Sequence, residues 1–198
     1  VASVTEFVVL LSEDGQPIGS ADKATVHTTD TALHLAFSCH VFNEAGEVLV
    51  TRRALAKKTW PGVWTNSFCG HPSPDEAPED ALHRRATQEL GFAVTDVKLA
   101  LPDFRYRAVD ASGVVEYEIC PVFVALATGE PKPEPDEVCE FEWVHPRALL
   151  AAVEATPWAF SPWINLQLPA LRDAGFLPGA TPSDGDREVA ASSVGATR

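Results

Sequence analysis

The chain has 198 residues, 45% of them hydrophobic and 22% charged, enough for one domain with a sizeable core and too little for two equal ones. Lys and Arg number 15 against 28 Asp and Glu, a formal net charge of −13, which argues against nucleic acid or an anionic membrane as partner and requires any anionic substrate to meet a local cluster of bases. No apolar run approaches the roughly 18 residues that cross a bilayer, and the opening "VASVTEFVVLLSEDGQ" lacks the basic flank and cleavage site of a signal peptide, so a cytoplasmic protein is expected.

In chain order, residues 33–42, "LHLAFSCHVF", alternate and then run apolar; "NEAG" makes a turn and "EVLVTRR" resumes an extended pattern, which predicts a β-hairpin. "KKTWPGVWTNSFCGHP" follows as loop and short strand. From Pro78 to Leu90, the residues Leu82, Ala86 and Leu90 recur at helical spacing, with Pro78 suited to the first turn and Gly91 to the C-terminal cap. "FRYRAV" and "VVEYEICPVFVAL" flank the turn "DASG" as a second hairpin. The acidic, Pro-rich "GEPKPEPDE" at 129–137 reads as an exposed linker, and "EVCEFEWV" as a strand before a helix at about 146–154. A last helix is expected at roughly 163–174. The small, polar stretch 177–198 reads as a flexible tail, leaving a single α+β domain over 1–176.

The four cysteines, Cys39, Cys69, Cys120 and Cys139, show no CxxC spacing, so each reads as buried filler, ligand or nucleophile rather than half of a disulfide. Positions i and i+2 of a strand face the same way, which puts Glu116 and Glu118 side by side, with Cys120 as a third candidate for that face. An isolated E-x-E usually marks a solvated face. Followed at once by "ICPVFVAL", it favours a buried site in which a cation offsets the repulsion. His71, two residues from Cys69, and His27 and His34 are candidate ligands, although each alone is more often structural. His40, His83 and His145 have no partner pattern and keep a structural reading; no function attaches to His40. Cys39 and Cys139 read as packing residues. Glu89 falls inside the apolar stripe of its helix, where it needs a metal, Arg85 one turn earlier, or both. Lys23, Arg53 and Lys57 are the bases an anion would want, and Trp60, Trp64, Trp158 and Trp163 sit in Pro-bearing loops that suit a cleft as well as a core.

The stretch "CGHPSPDEAPEDALHRRATQELGF", residues 69–92, resembles the Nudix box, with Gly70, Glu76, Arg84, Glu89, Gly91 and Phe92 in register. Where the box has two further glutamates, this chain has Arg85 and Gln88. Nudix hydrolases use that carboxylate cluster to hold the metals that activate water against a diphosphate, so hydrolysis is not expected. The departures match one branch: "HTTDTALHLAF", "VTRRALAKKTWPGVWTNSFCGHP", "RRATQELG", "DFRYRA", "EYEICPVF" and "ATPWAFSPW" together resemble the type I isopentenyl-diphosphate delta-isomerases over roughly residues 3–175.

That resemblance implies a Nudix-like mixed β-sheet core flanked by helices. It also implies interconversion of isopentenyl and dimethylallyl diphosphate by a 1,3-proton shift through a carbocation. Carried residue by residue, it implies a divalent metal, Mn or Zn, at His27, His34, His71, Glu116 and Glu118, and a Mg ion between Glu89 and the substrate diphosphate. Lys23, Arg53, Lys57 and Arg85 become anion contacts. Cys69 and Glu118 become the two proton-handling groups, with Tyr106 hydrogen-bonding near Glu118 and the Trp163 ring facing the cation. The partner is a small diphosphate, and no oligomer is implied. Two competing readings are a Nudix pyrophosphohydrolase with an incomplete box and a metal-stabilised binding protein whose histidines serve folding alone.

Overall fold

Two mixed sheets share the chain, because two of its extended runs change sheet midway. The computed structural model describes residues 6–179. Phe7–Leu11 (β1) folds back as Pro17–Asp22 (β2), and one helical turn, Lys23–Val26 (α1), follows with the Asp22 carboxylate accepting from the Ala24 amide at 2.8 Å. His34–Leu35 (β3) joins this first sheet. Phe37–Phe42 (β4), Val48–Arg53 (β5), Trp64–Thr65 (β6) and Phe68–Gly70 (β7) belong to the second. After the helix Pro78–Leu90 (α2) come Val94–Leu101 (β8), Arg105–Val109 (β9), Val115–Ile119 (β10), Val122–Ala127 (β11) and Val138–Val144 (β12). The helices Pro146–Ala155 (α3) and Pro162–Asp173 (α4) end the sequence of elements.

The first sheet has the order β2-β1-β3-β10-β9 and the second β12-β5-β4-β11-β8, with β6 on β5 and β7 on β4. "LHLAFSCHVF" and "VVEYEICPVFVAL", each expected as one strand, are both cut: one at Ala36, the other at Cys120–Pro121. Pro121 has no N–H to continue a ladder, and the two breaks are stitched by Ala36 N to Ile119 O (3.0 Å) and Ser38 N to Pro121 O (3.1 Å). Parallel pairing then runs on both sides of the break, β3 with β10 and β4 with β11. The N-terminal hairpin and β8 were not anticipated: "FVVLL" does not alternate, and "VTDVKLAL" mixes charge into its apolar positions.

Alternation along the second sheet separates two cores. Phe37, Cys39 and Val41 of β4, with Phe123 and Ala125 of β11, pack against Ala81, Leu82, Ala86 and Leu90 of α2. Phe42, Val122 and Val124 face Leu149, Leu150 and Val153 of α3 and Ile164, Leu168 and Leu171 of α4. Leu177 is 3% exposed within this second core, so the folded body runs past residue 176; residues 180–198 of the expected tail lie outside the described ones. Gly91 caps α2 in the left-handed region (φ 72°), and a Cβ there would meet the Lys132 carbonyl oxygen at 2.6 Å. The approach is close because the 129–137 segment is no free linker. Lys132 and Glu134 donate their amides to the Leu90 and Glu89 carbonyls, both at 2.8 Å, satisfying two acceptors that a helix end leaves open. Cys139, expected to pack, is exposed, whereas Cys39 is fully buried; the four cysteines are all free thiols.

His40 lies fully buried on β4, and burial pushes its pKa down to about 4, against a hydrogen bond to Gln167 that acts the other way. The unfolded chain therefore binds a proton that the folded one refuses between about pH 6.5 and 4, so stability falls with pH across that window. Replacing His40 by Gln should make unfolding free energy less sensitive to acidification, by about 2 kcal/mol between pH 7 and 5, in denaturant titrations of the two proteins side by side.

Candidate active site

The double crossing brings β3 and β10 of the first sheet close to the turn after β7. Here His27, from the end of α1, His34 from β3, His71 just after β7 and Glu118 from β10 converge, their donor atoms within 4.8 Å of one another. Register sets this up: Glu118 is the β3 partner of His34 and the β9 partner of Tyr106. The imidazole centroids lie 5.0, 5.1 and 5.7 Å apart, and His71 Nε2 is 3.0 Å and His34 Nε2 3.4 Å from Glu118 Oε1. His34 Nδ1 is 2.9 Å from the Ala32 carbonyl oxygen, which fixes a proton on Nδ1 and turns Nε2 inward toward Glu118.

Glu116, one strand pleat before Glu118, approaches His27 Nε2 with its own Oε2 at 3.1 Å, and its Oε1 accepts from the Thr59 hydroxyl at 2.6 Å. Both carboxylates are buried, at 7% and 4% exposure, while Tyr117 between them turns outward to Glu13 and Arg105. The side-chain face expected from the alternation is thus present. The buried Nε2 atoms of His27 and His34 and Nδ1 of His71 have no hydrogen-bond partner among the described residues. Three imidazoles and a carboxylate with donor atoms within 4.8 Å of one another, two of them the unpaired buried Nε2 atoms of His27 and His34, are the donor set of a divalent transition metal, so these residues fit one. Burial opposes ionisation of Glu118, yet His34 and His71 hold its carboxyl well below the usual range; the Tyr106 hydroxyl donates to its other oxygen, Oε2, at 3.0 Å.

Cys69 sits on β7 directly across from Ser38 of β4, half-buried and lining the same cleft. Burial pushes its thiol up to about 12, with the Ser38 hydroxyl at 3.2 Å acting in the opposite sense. Gly70 and β7 are packed tightly: a Cβ on Gly70 would meet Phe37 and Arg85 at 2.8 Å. The Asn66 side chain is locked, its Nδ2 donating to the Cys39 and Phe68 carbonyls at 3.1 and 2.7 Å and its Oδ1 accepting from Trp163 Nε1 at 2.9 Å and from the Cys69 thiol at 3.3 Å.

The cleft has a volume of about 600 Å³ and is charged at its other end. Lys23 pairs with Glu6 at 2.6 Å, Lys57 with Glu137, and Arg85 with Glu89 and, at 3.3 Å, with Glu137. The expected Arg85–Glu89 pair is therefore present, and Glu89 is not among the residues grouped around His27, His34 and His71. Burial raises the Glu89 pKa and Glu137 adds to this, while Arg85 opposes both. Arg53 donates to the Thr59 and Trp60 carbonyls and stacks 5.3 Å over the Trp163 ring. Trp163, 2% exposed, forms the wall with Tyr106, and Trp60 packs edge-on against Trp163 behind it, whereas Trp158 is 81% exposed and Trp64 packs against the core, so of the four tryptophans that suited a cleft as well as a core only Trp163 lines this one.

Sequence reasoning missed Glu137, placed by a segment read as linker, and Thr59, Asn66, Ser38 and Gln167, which are neutral residues without a titratable signature. His145 caps α3, its Nδ1 accepting from the Arg147 amide, and His83 is exposed on α2, as their structural reading requires.

Comparison with known proteins agrees with this arrangement. The NUDIX domain family profile matches residues 32–164. Solved structures with this fold include a Deinococcus radiodurans protein, with a TM-score of 0.65 at 18% identity over 83% of this chain and 98% of that one, and a MutT protein from Methanosarcina mazei Go1, with a TM-score of 0.57 at 18% identity over 72% and 95%. Among curated relatives, the isopentenyl-diphosphate Delta-isomerase of Clavibacter sepedonicus is 67% identical over 89% of this chain and 98% of its own. That of Clavibacter michiganensis is 67% identical over 84% and 86%, and that of Corynebacterium glutamicum (strain ATCC 13032) 60% identical over 85% and 93%. With this identity across most of its length and a NUDIX domain that has lost two box carboxylates, the chain belongs to the isopentenyl-diphosphate Delta-isomerase family of NUDIX proteins.

Proposed function

We propose that this chain interconverts isopentenyl diphosphate and dimethylallyl diphosphate by moving one proton on and another off, with Cys69 and Glu118 as the two proton-handling groups. The observation that carries the reading is their common cleft: a thiol and a carboxylate at one end, a cluster of cations at the other, and no glutamate at positions 85 and 88 to organise water for hydrolysis. One group adds a proton to the terminal alkene carbon of isopentenyl diphosphate, leaving a tertiary carbocation; the other removes a proton from the carbon nearer the diphosphate, and the double bond re-forms there. The reverse direction exchanges the two roles.

Tyr106 orients Glu118 Oε2 toward this task, and Trp163 presents an aromatic wall to the cation, a contact worth about 2 kcal/mol when desolvated. The same wall, formed with Tyr106 and backed by Trp60 against Trp163, keeps out the water that would capture the carbocation. His27, His34, His71 and Glu118, with Glu116 beside His27, would hold a divalent metal, whose charge would keep Glu118 fixed and ionised; mixed imidazole and carboxylate ligands suit Mn or Zn.

Lys23, Arg53, Lys57 and Arg85 receive the diphosphate. Three of these cations are already matched by Glu6, Glu137 and Glu89, so an entering diphosphate brings charge that the pocket alone does not neutralise. A Mg ion accompanying the substrate would supply the balance, and Glu89 would share its carboxylate between that ion and Arg85. The cytoplasm suits such a soluble, small-molecule reaction. A pyrophosphohydrolase would instead release phosphate or monophosphate from a diphosphate ester.

Incubation with isopentenyl diphosphate in deuterated water should place deuterium in the dimethylallyl product; phosphate release without isomerisation overturns the reading. Cys69→Ala and Glu118→Gln should each lower kcat by about 10²–10⁴-fold in a fold that melts normally. Thr59→Val, which removes the donor to Glu116, should weaken retention of Mn on dialysis by about 10–100-fold, with Thr59→Ser close to the parent, as followed by metal analysis of the protein.

A further inference from the structure

Behind Cys69 lies a row of buried polar side chains that neither the metal ligands nor the cations touch. Ser38 and His40 stand on the same face of β4, two residues apart, and Gln167 reaches them from α4, one turn beyond Trp163. All three are fully buried. His40 Nε2 is 3.0 Å from Gln167 Oε1, Gln167 Nε2 is 2.9 Å from Ser38 Oγ, and Ser38 Oγ is 3.2 Å from Cys69 Sγ. An apolar side chain at any of these positions would have avoided the cost of burying polar atoms.

The direction of the chain is set at its far end. Among the described residues, His40 Nδ1 is buried without a partner. A buried N–H left unpaired is rarer and costlier than an unpaired acceptor, so the His40 proton resides on Nε2 and donates to Gln167 Oε1. That fixes the Gln167 amide with its nitrogen toward Ser38, to which it donates. The Ser38 oxygen accepts from Gln167, and its single O–H has two sulfurs in reach, Cys69 Sγ at 3.2 Å and Cys120 Sγ at 3.4 Å. Cys69 is the nearer. On the other side, Asn66 offers that sulfur only an acceptor, because both Nδ2 hydrogens are held by backbone carbonyls. Cys69 therefore sits between one fixed donor and one fixed acceptor, and α4 holds both: Gln167 through Ser38, Trp163 through Asn66.

We infer that Gln167, oriented by His40, is a positioning residue of the reaction: it turns the Ser38 hydroxyl onto Cys69 Sγ and so fixes the sulfur in the orientation from which it exchanges a proton with the substrate. The inference rests on the assignment of Cys69 as a proton-handling group. It differs from a packing role in one respect: the three residues act in series, so removing a second member costs nothing once the first is gone.

Ser38→Ala and Gln167→Leu should each lower kcat about tenfold or more with KM within about twofold, because neither touches the diphosphate. The double variant should be no slower than Ser38→Ala, and His40→Leu should add no loss of kcat to Gln167→Leu. If Gln167→Leu does not fold, Gln167→Met, unbranched and without a donor, takes its place; thermal melting monitors the fold throughout. Losses that multiply, or a fall in melting temperature with kcat unchanged, would show packing and overturn the inference. Cys69→Ala separates the two readings. If it keeps its rate, the assignment of Cys69 itself fails. If it loses its rate while Ser38→Ala and Gln167→Leu turn over normally, only the present inference fails.

Discussion

A carboxylate taken out of water must be met by charge or by hydrogen bonds, and Glu118 is 4% exposed in the middle of a β-strand. The first sheet answers this need from every side. The parallel pairing of β3 with β10 sets His34 next to Glu118, the antiparallel pairing of β9 sets Tyr106 on its other flank, and the turn after β7 delivers His71. Removing a single partner would leave buried charge uncompensated, which commonly costs about 3–5 kcal/mol. The geometry of the site is in this sense a condition of the fold, and the crossing of two strands between sheets is what satisfies it.

That crossing explains which parts of the architecture were legible in the sequence. The α2 boundaries could be read at once, since a proline at the first turn, a glycine at the cap and three apolar residues at helical spacing all point the same way. The strand at 115–119 was equally clear in its alternation. The cut at Cys120–Pro121 was not, because "ICPVFVAL" stays apolar through the break and hydrophobic pattern does not record which sheet a strand belongs to. The segment 129–137 was misread for a related reason. Its composition is that of a linker, but its amides are spent on the open carbonyls of α2, and the docking carries Glu137 to Lys57 and Arg85.

Among the site residues, those that titrate or coordinate were visible through their chemistry and through the resemblance of the motifs around them. The neutral ones were not. Thr59, Asn66, Ser38 and Gln167 are common residue types, and only the fold shows that Thr59 bonds Glu116, Asn66 bonds Trp163 and Cys69, Ser38 bonds Cys69, and Gln167 bonds Ser38. His40 carried a faint signal, as a polar residue in a predicted core strand, without anything nearby in sequence to explain it. Its partner lies 127 residues away on the last helix.

The altered box shows how little of a site must change for its chemistry to change. In the register of the motif, Arg85 stands where a hydrolase has a metal-binding glutamate, and from that position its guanidinium reaches Glu89 and Glu137 at once. A carboxylate there would add to two others in a buried space and would require a metal to hold all three together. An arginine converts the same space into an internally balanced set of ion pairs. Gln88, exposed on the next face of α2, adds no charge. What remains is a surface that can receive an anion without arranging water around it. The thiol of Cys69 and the carboxylate of Glu118 line the other end of the cleft, walled by Tyr106 and Trp163. The helix keeps its place in the fold, while Cys69, next to the first glycine of the box, and Glu118, on a strand outside it, face the cleft together.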